Sequence, residues 1–386
     1  MIEEIISKFN INGELIEVSE NKSGNINNTY VVAFKMQDGS IIRFVIQKIN
    51  TTVFTEPYKL MKNIERVTKY LKKQMEKEGD KEHRVLDIVN TKEDNSLCFI
   101  IRDGEKDYYR VYDYIENAVT YDCSTDPEIV YNAARGFGNF QRLLRDFPMS
   151  ELNETIKDFH STDKRYKRLI EDIKIDPFNR AMEVAPEIVF ILKREDICSK
   201  ITKVLGTKEV PYRVTHNDTK VNNVMMNKDT GDFLAVVDLD TVMPGSLLYD
   251  YGDGIRAAAA TTKEDDTDLD KVGLNLEFFE AYTRGFLSEM APYITAEELS
   301  LMGESIRIIT LELGIRFLND YINGDTYFKT SYEKHNLDRT RNQLRLVEDI
   351  ESKMDYINNF IYECYEESKA KPRPKVFKYL NGNEVQ

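Results

Sequence analysis

The spacing of apolar residues along the chain changes near residue 115. Before that point, short segments alternate apolar and polar residues or are continuously apolar, and Asn, Gly and Asp separate them. This pattern is typical of β-strands joined by turns. After that point, apolar residues recur every three to four positions, as in amphipathic helices. The change predicts an α+β chain with a small β-rich N-terminal lobe, residues 1–115, and a larger, mainly helical C-terminal lobe, residues 116–386.

The N-terminal pattern predicts two helices and six strands. The helices are Ile2–Phe9 and a longer one that Pro57 begins and that runs to Lys77, with apolar residues at helical spacing. Two of the strands, Val85–Val89 and Leu97–Ile101, are expected to pair as a hairpin. The other predicted strands are Ile16–Ser19, Thr29–Met36, Ser40–Ile46 and Tyr108–Tyr114.

The C-terminal pattern predicts a bundle of helices. Asp126 and Pro127 supply an N-cap and a first-turn proline for a helix that reaches Phe147. The helical periodicity is then interrupted and resumes, and a short extended segment precedes residue 215. The further predicted helices cover residues 165–173, 185–205, 274–290, 296–320 and 342–367.

Composition narrows the classes of ligand. The net charge of −14 over 386 residues argues against a sequence-independent grip on nucleic acid or on an anionic membrane, since both need clustered Lys and Arg. Apolar runs stay short of the roughly 20 residues that span a bilayer. The four cysteines are scattered, without metal-ligand spacing, which suits a reduced compartment. We expect a soluble, cytoplasmic protein with a small-molecule ligand. The oligomeric state leaves no trace in the sequence.

The stretch from Val214 to Asp253 carries the clearest chemistry. His216, Asp218 and Asn223 form an H-x-D-x-x-x-x-N pattern, and an apolar run that follows ends in Asp238. Kinase catalytic loops have this layout, in which an Asp accepts the proton of the acceptor hydroxyl and oxygen ligands hold Mg²⁺. The pattern predicts Asp218 as the base and Asn223 and Asp238 as metal ligands. A polar loop before a buried strand is the alternative for the short pattern alone.

Nucleotide contacts are expected at two places in the N-terminal lobe. Gln47 and Lys48 end the strand where kinases carry a phosphate-pairing lysine, and strand alternation allows only one of them to face the cleft. A solvent-facing Lys48 is the alternative. Backbone groups near Tyr114 and Glu116, at the expected hinge, are candidates to pair with adenine. The Asn-rich loop at residues 23–28 either covers the phosphates or is an ordinary hairpin loop.

Three longer segments resemble a known family. They read HNDTKVNNVM, VVDLDTVMPGSLLYDYGDGIR and LELGIRFLNDYINGDTYFKTSYEKHNLDRTRNQ, and shorter matches include NINNTY, RFVIQKIN and DFH. Together they resemble the N-acetylhexosamine 1-kinases of the aminoglycoside phosphotransferase and choline kinase-like superfamily. The resemblance implies a bilobal, protein-kinase-like fold with ATP and Mg²⁺ as nucleotide and cofactor. It also implies phosphorylation of the anomeric hydroxyl of N-acetylglucosamine or N-acetylgalactosamine.

The resemblance also assigns residues. Asp218 matches the catalytic base, Asn223 and Asp238 match metal-ligand positions, and the sugar-site positions fall on Thr241, Arg316 and Tyr327. Asp240 is a weaker candidate for the sugar or the metal. The alternative for Arg316 is an ion pair with Asp320 one turn further along a helix, and for Tyr327 it is packing without ligand contact.

Two other functions stay open at this stage. The acceptor could be an unmodified hexose, an amino alcohol such as choline, or an aminoglycoside antibiotic. The chain could also be a catalytically inactive nucleotide-binding scaffold. The absence of a clearly placed lysine at positions 47 and 48 favours this alternative, and the presence of Asp218, Asn223 and Asp238 argues against it.

Overall fold

The fold was described from a computed structural model that covers residues 2–21, 27–122 and 126–370. It has a small N-terminal lobe built on an antiparallel sheet and a larger helical C-terminal lobe, which confirms the predicted bilobal α+β fold. Residues 22–26 of the Asn-rich loop and residues 371–386 lie outside the described residues. In the described part of the chain, no helix is long and apolar enough to cross a membrane.

The N-terminal lobe is a five-stranded antiparallel sheet with the strand order β1-β2-β3-β5-β4. Alternate residues of the central strands, such as Val32, Ile46 and Val111, point into an apolar core beneath helix α1. Helix α2 covers another part of the lobe with a stripe that includes Leu60, Ile64 and Val67. The elements are α1 Ile2–Ile6, β1 Glu14–Asn21, β2 Asn28–Lys35, β3 Ile41–Lys48, α2 Pro57–Glu78, β4 Cys98–Arg102 and β5 Glu105–Asp113.

The predicted hairpin between Val85–Val89 and Leu97–Ile101 is wrong. Strand β4 pairs with β5, with Arg102 opposite Glu105, and residues 85–89 contribute only an isolated bridge from Ile88. The two-residue turn between β4 and β5 is Asp103-Gly104, and both residues have positive φ, 50° and 86°. Asp-Gly suits this turn because both residues tolerate the left-handed region. The pair was therefore the stronger hairpin signal in the sequence.

Three short strand pairs lie around the stretch from Val214 to Asp253. Strand β6 (Ala118–Val119) follows the sheet and pairs with β8 (Val224–Asn227), which pairs with β9 (Phe233–Val236). Strand β7 (Arg213–Thr215) pairs with β10 (Met243–Gly245). The chain segments on either side of the catalytic stretch are thus anchored in backbone ladders.

The C-terminal lobe is built around α3, whose Gly138 packs directly against the backbone of Phe286 in α7. The residues predicted as one helix at 185–205 form a short helix and a 3₁₀ turn, and those at 342–367 belong to two helices that meet at Lys353. The helices are α3 Pro127–Leu143, α4 Thr162–Ile175, α5 Ala185–Leu192, α6 Leu247–Ala258, α7 Leu276–Met290, α8 Ala296–Ile322, α9 His335–Ser352 and α10 Met354–Ala370.

Candidate functional site

A cavity of about 530 Å³ lies between the two lobes. The N-terminal lobe contributes Gln47 and Arg110 to its wall, and the C-terminal lobe contributes the catalytic-loop residues and Asp238. Clefts that mix apolar walls with a few converging polar groups are where small ligands bind. The lining includes Gln47, Arg110, Tyr112, Tyr114, Ile115, Asp218, Lys220, Asn223, Val237 and Asp238.

The catalytic loop is held from below by a fully buried carboxylate. Asp250, in α6, accepts the backbone N–H groups of His216 at 2.9 Å and Asn217 at 2.7 Å, and also the side-chain amide of Gln141. Burial raises the pKa of Asp250, and the hydrogen bonds from His216, Asn217 and Gln141 oppose the rise. A second carboxylate, Asp253, accepts the N–H of Thr219 at 3.1 Å. The loop is therefore fixed through its backbone.

His216 braces the loop and does not face an acceptor hydroxyl. Its Nε2 lies 2.8 Å from the carbonyl of Val237, so this nitrogen carries a proton, and its Nδ1 accepts the N–H of Asp218 at 3.3 Å. The rings of Phe137 and Phe140 pack edge-on against the imidazole. Both nitrogens are thus used in the neutral form of the ring.

Asp218 lies at the edge of the cavity with one quarter of its side chain exposed. The amide of Asn223 donates to its carbonyl at 2.8 Å and to its Oδ2 at 3.1 Å, and Lys220 Nζ lies 3.0 Å from its Oδ1. The Asn223 nitrogen is engaged in this way, so its amide oxygen is the atom left to bind a cation. Asp218 is held in place with an accessible carboxylate, as a proton acceptor requires.

Asp238 follows β9 in a left-handed conformation, φ 57°, and its side chain is accessible to the cavity. Partial burial and the charges of Asp240 and Asp218 raise the pKa of Asp238 to about 7, against the opposing charges of Arg110 and Lys220. Crowded carboxylates of this kind favour a divalent cation, which relieves their repulsion.

The residues fit a magnesium ion that a nucleotide shares. The candidate ligands are the Asp238 carboxylate and the Asn223 amide oxygen, both hard oxygen donors. Among the described residues, no group of three or more His, Cys, Asp or Glu side chains forms a ready metal site. Two protein ligands leave positions for phosphate oxygens and water, which is the usual way Mg²⁺ is held beside a triphosphate.

Asp240 faces the N-terminal lobe. Its side chain is buried, its Oδ1 accepts from Arg110 Nη1 at 2.5 Å, and its Oδ2 accepts from Asn27 Nδ2 at 2.7 Å. Asn27 in turn accepts the backbone N–H of Asn50. Both carboxylate oxygens of Asp240 are therefore engaged by donors of the N-terminal lobe.

The two residues at the end of β3 point in opposite directions. Gln47 lines the cavity, and its Oε1 accepts from Arg110 Nε at 3.0 Å and Nη2 at 2.8 Å. Lys48 forms an ion pair of 2.7 Å with Asp107, and it is not among the residues that line this cavity. The residue facing the nucleotide side is thus a neutral glutamine.

The two predicted hinge residues differ in position. Tyr114 lines the cavity, and its backbone N–H donates to the carbonyl of Arg43 at 3.1 Å, so that N–H is not free for adenine. Arg43 also lies over the Tyr114 ring and forms an ion pair with the exposed Glu116. The Glu116 side chain is therefore held on the outer surface, by a residue of β3.

Thr241 and Arg316, two of the predicted sugar-site residues, lie in different environments. Thr241 is buried, and its hydroxyl donates to the carbonyl of His216 at 2.6 Å, which supports the catalytic loop. The Arg316 guanidinium lies 5.2 Å from the ring centre of Phe159, 5.9 Å from Tyr327 and 5.4 Å from Phe328. Three aromatic rings thus surround this cation.

The alternative ion pair of Arg316 with Asp320 does not form. The Asp320 carboxylate instead accepts the backbone N–H groups of residues 326, 327 and 328, at 2.8 to 3.0 Å, and the amide of Asn336. Tyr327 is 58 % exposed, so it is not a core residue. Asp320 therefore shapes the turn that presents Tyr327.

A buried pair links this aromatic cluster to the catalytic loop. His160 Nδ1 lies 2.9 Å from Glu312 Oε1, and its Nε2 lies 3.2 Å from the carbonyl of Asn217. Burial opposes protonation of His160, but the charge and hydrogen bond of Glu312 outweigh it and raise the pKa. His160 follows Phe159, whose ring contacts Arg316, so the two regions share one scaffold.

Two cations at the cavity were not predicted from the sequence. Lys220 lies two residues after Asp218, and its place inside the H-x-D-x-x-x-x-N pattern was a usable signal. Arg110 had no such signal, because it is one of two charged residues in the predicted strand Tyr108–Tyr114. Pairing of β5 with β3 brings it opposite Gln47.

Comparison with known proteins agrees with this architecture. The chain resembles the solved structures of a microcompartment-associated aminopropanol kinase (12% identity, TM-score 0.61, covering 92% of this chain and 98% of that one). It also resembles the amicoumacin kinase hAmiN in complex with AMP-PNP, Ca²⁺ and Ami (13% identity, TM-score 0.56, 89% and 92% covered). A choline kinase from Cryptosporidium parvum Iowa II is similar at 16% identity, with TM-score 0.52 and coverage of 92% and 95%.

At these identities the solved structures establish a shared fold. The sequence match is more direct: residues 17–287 match the family described as APH, phosphotransferase enzyme family. The matched range includes the strands of the N-terminal sheet, the catalytic loop and Asp238. The chain belongs to the phosphotransferase enzyme family.

Proposed function

We propose that this protein transfers the γ-phosphoryl group of ATP to the anomeric hydroxyl of an N-acetylhexosamine, giving the sugar 1-phosphate. The observation that carries the choice of acceptor is the environment of Arg316. Its guanidinium is surrounded by Phe159, Tyr327 and Phe328 and forms no ion pair within the described residues. It is thus a cation with donors to spare, and it packs on Phe159, whose neighbour His160 contacts the carbonyl of Asn217 in the catalytic loop.

This environment disfavours a cationic acceptor. A choline-like ammonium group binds best against aromatic faces or carboxylates, but here a protein guanidinium already occupies the ring faces. Arg165 is a neighbour, since burial and the charge of Arg316 lower the pKa of Arg165. Two arginines would repel an amine. A neutral sugar offers hydroxyl oxygens and an acetamido carbonyl, which accept hydrogen bonds from a guanidinium.

The catalytic-loop residues would act directly on the acceptor hydroxyl. Asp218 orients the hydroxyl and accepts its proton as the phosphoryl group transfers. Lys220, 3.0 Å from Asp218, adds positive charge where negative charge develops on the transferring group. Asn223 holds Asp218 and, with Asp238, offers oxygen ligands to Mg²⁺. When bound, Mg²⁺ would neutralise charge on the phosphates.

The family match supports phosphoryl transfer, and the named kinases of similar fold act on small hydroxyl-bearing molecules such as aminopropanol and choline. The narrower assignment to a 2-acetamido sugar is supported by the sequence resemblance between Leu311 and Gln343. That segment contains both Arg316 and Tyr327.

The acceptor is tested by incubating the protein with ATP, Mg²⁺ and a panel of N-acetylglucosamine, N-acetylgalactosamine, glucose, galactose, choline and an aminoglycoside. We expect ³¹P NMR to show an anomeric phosphate with the 2-acetamido sugars. Equal or faster turnover of choline or unmodified hexoses would contradict the assignment. ATP binding without turnover of any acceptor would favour the inactive scaffold.

The role of Arg316 is tested with Arg316→Met, which keeps much of the side-chain length and removes the donors. We expect KM for the sugar to rise about tenfold or more, because hydrogen bonds to a charged group are lost, while KM for ATP stays unchanged. Arg345→Met is the matched control, since Arg345 pairs only with Glu348 within α9. An unchanged KM for the sugar would remove Arg316 from the acceptor site.

A further inference from the structure

Arg110 in β5 is a buried cation at the nucleotide side of the cleft. Its side chain is 1% exposed, yet it belongs to the wall of the interlobe cavity. The basic residues among those that line this cavity are Arg110 and Lys220, and Lys220 comes from the catalytic loop. Arg110 is therefore the positive charge that the N-terminal lobe contributes to this wall.

Gln47 holds Arg110 in place. The two residues are directly opposite each other on β3 and β5, and Gln47 Oε1 accepts from both Nε and Nη2 of the guanidinium. Gln47 also occupies the cavity-facing position where the strand pattern predicts a phosphate-pairing cation. A glutamine has no charge to offer a phosphate. It does offer an acceptor that fixes a neighbouring guanidinium in one orientation.

The counter-ion of Arg110 comes from the opposite lobe. Asp240, two residues after Asp238, accepts from Arg110 Nη1, whereas α2 presents only the sulfur of Met61 to this nitrogen. The glutamate in the middle of α2, Glu65, is exposed. A buried ion pair contributes little net stability, because desolvation of both charges offsets their attraction. Its consequence here is positional: the cation is tied to the segment that carries Asp238.

We propose that Arg110 is the phosphate-binding cation of the N-terminal lobe, taking the place of a lysine at position 47. Gln47 and Asp240 hold the guanidinium so that its remaining N–H groups meet the phosphates of the nucleotide. An arginine has five N–H donors, and the contacts to Gln47 and Asp240 use three of them. Of the other two, one is on Nη2 and one is on Nη1, which also faces the sulfur of Met61 at 3.8 Å. This inference rests on the proposed use of ATP.

The test compares nucleotides with and without phosphates. Isothermal titration calorimetry measures binding of ATP with Mg²⁺, of ADP with Mg²⁺ and of adenosine to the unmodified protein and to Arg110→Met. We expect Arg110→Met to weaken ATP binding by about tenfold or more, since charged hydrogen bonds are lost, with adenosine binding unchanged. A general loss of structure would weaken adenosine binding as well.

Lys48→Met is the matched control. Lys48 is the lysine nearest in sequence to Gln47, but it pairs with Asp107 and is not among the lining residues. We expect its ATP and adenosine affinities to equal those of the unmodified protein. A loss of ATP affinity in Lys48→Met that matches the loss in Arg110→Met would overturn the proposal.

A double variant that moves the positive charge from position 110 to position 47 tests the proposal if Arg110→Met does not fold. In the double variant Gln47→Lys with Arg110→Gln, a lysine at the cavity-facing position of β3 lies near Asp240, and a glutamine replaces the arginine. We expect this variant to bind ATP more tightly than the single variant Arg110→Gln does. Equal ATP affinity in the two variants would overturn the proposal.

The two proposals fail in different ways. If the unmodified protein binds neither ATP nor ADP, the proposed function is wrong. If it binds ATP and the ratio of ATP to adenosine affinity is the same in Arg110→Met, only the role of Arg110 is wrong. Neither outcome depends on the identity of the acceptor, because the titrations contain no sugar.

Discussion

Asp250 and Asp320 perform the same task in two regions of the C-terminal lobe. Each is a buried carboxylate that accepts backbone N–H groups from a loop: Asp250 from the catalytic loop, and Asp320 from residues 326–328. The loops present their functional side chains differently. Asp218 is one quarter exposed and is held by Asn223 and Lys220, whereas Tyr327 is 58 % exposed.

In the proposed function, the loop at Asp218 serves the chemistry and the turn at Tyr327 serves specificity for the acceptor. Phosphoryl transfer tolerates little displacement of its base, so the catalytic loop is fixed by backbone and side-chain bonds together. The turn at Tyr327 has a fixed backbone but an open side chain, which can adapt to an acceptor. Changes around Asp250 should therefore alter kcat, and changes around Asp320 should alter KM for the acceptor.

The largest effect is expected for Asp218→Asn, which tests whether the fixed loop carries the chemistry. The amide keeps the shape of the side chain but cannot accept a proton, so kcat should fall by at least about 100-fold. ATP affinity measured by calorimetry should not change. Asp268→Asn, in an exposed pair with Lys271, is the control and should keep full activity. Unchanged turnover in Asp218→Asn would remove the base from this loop.

Asp250→Asn is expected to have the next largest effect. The new amide nitrogen lies either against the N–H of Asn217 or against the donors of His216 and Gln141, so at least one hydrogen bond to a charged acceptor is lost. Stability should fall by about 1.5–3 kcal/mol in urea unfolding. The kcat should fall as well, and KM for the acceptor should stay unchanged. A change in KM without a change in kcat would contradict the separate roles of the two loops.

Asp320→Asn is the matched change in the acceptor region, and its effect on rate should be smaller. One or more of the bonds to residues 326–328 is lost, which loosens the turn that presents Tyr327. We expect KM for the acceptor to rise several-fold with kcat nearly unchanged. Steady-state kinetics at saturating ATP measures both. A fall in kcat as large as that of Asp250→Asn would show that the two regions are not separable.

The smallest effect is expected for the pH dependence of stability, which involves His160 between the two loops. The pKa of His160 is raised above its usual 6.5, because Glu312 and the more distant Asp253 outweigh burial and the charge of Arg316. A raised folded-state pKa stabilises the fold fully below the unfolded pKa, and this contribution is lost as pH rises through the folded value.

The measurement compares the unmodified protein with His160→Gln by urea unfolding between about pH 6 and pH 9. Glu312 stays ionised in this range, because burial raises its pKa less than His160, Arg316 and Thr162 lower it. We expect the stability difference between the two proteins to be largest at the acid end and to shrink as pH rises. A difference that is constant with pH would indicate that the pKa of His160 is the same in the folded and the unfolded protein.

The periodicity of the sequence determined the fold class, because the change of apolar spacing near residue 115 reflects which faces must be buried. The H-x-D-x-x-x-x-N spacing and the apolar run after it predicted Asp218, Asn223 and Asp238 as one group, and the pairing of β8 with β9 folds this local stretch so that all three line the cavity. Local pairing was less readable. The prediction of a hairpin at Val85–Val89 overlooked the Asp103-Gly104 turn, although this turn lies between two apolar runs of the sequence.

Only the tertiary structure decided which residue of β3 faces the cavity and which donors Asp240 accepts from. Strand alternation allowed either Gln47 or Lys48 to face the cleft, and the pairing of β3 with β5 put Gln47 there together with Arg110. Asp240 is 130 residues from Arg110 in sequence, and their contact depends on how the two lobes pack. Such contacts between distant segments leave no periodic trace, because a charged residue in a strand has the same local pattern whether it faces water or a buried partner.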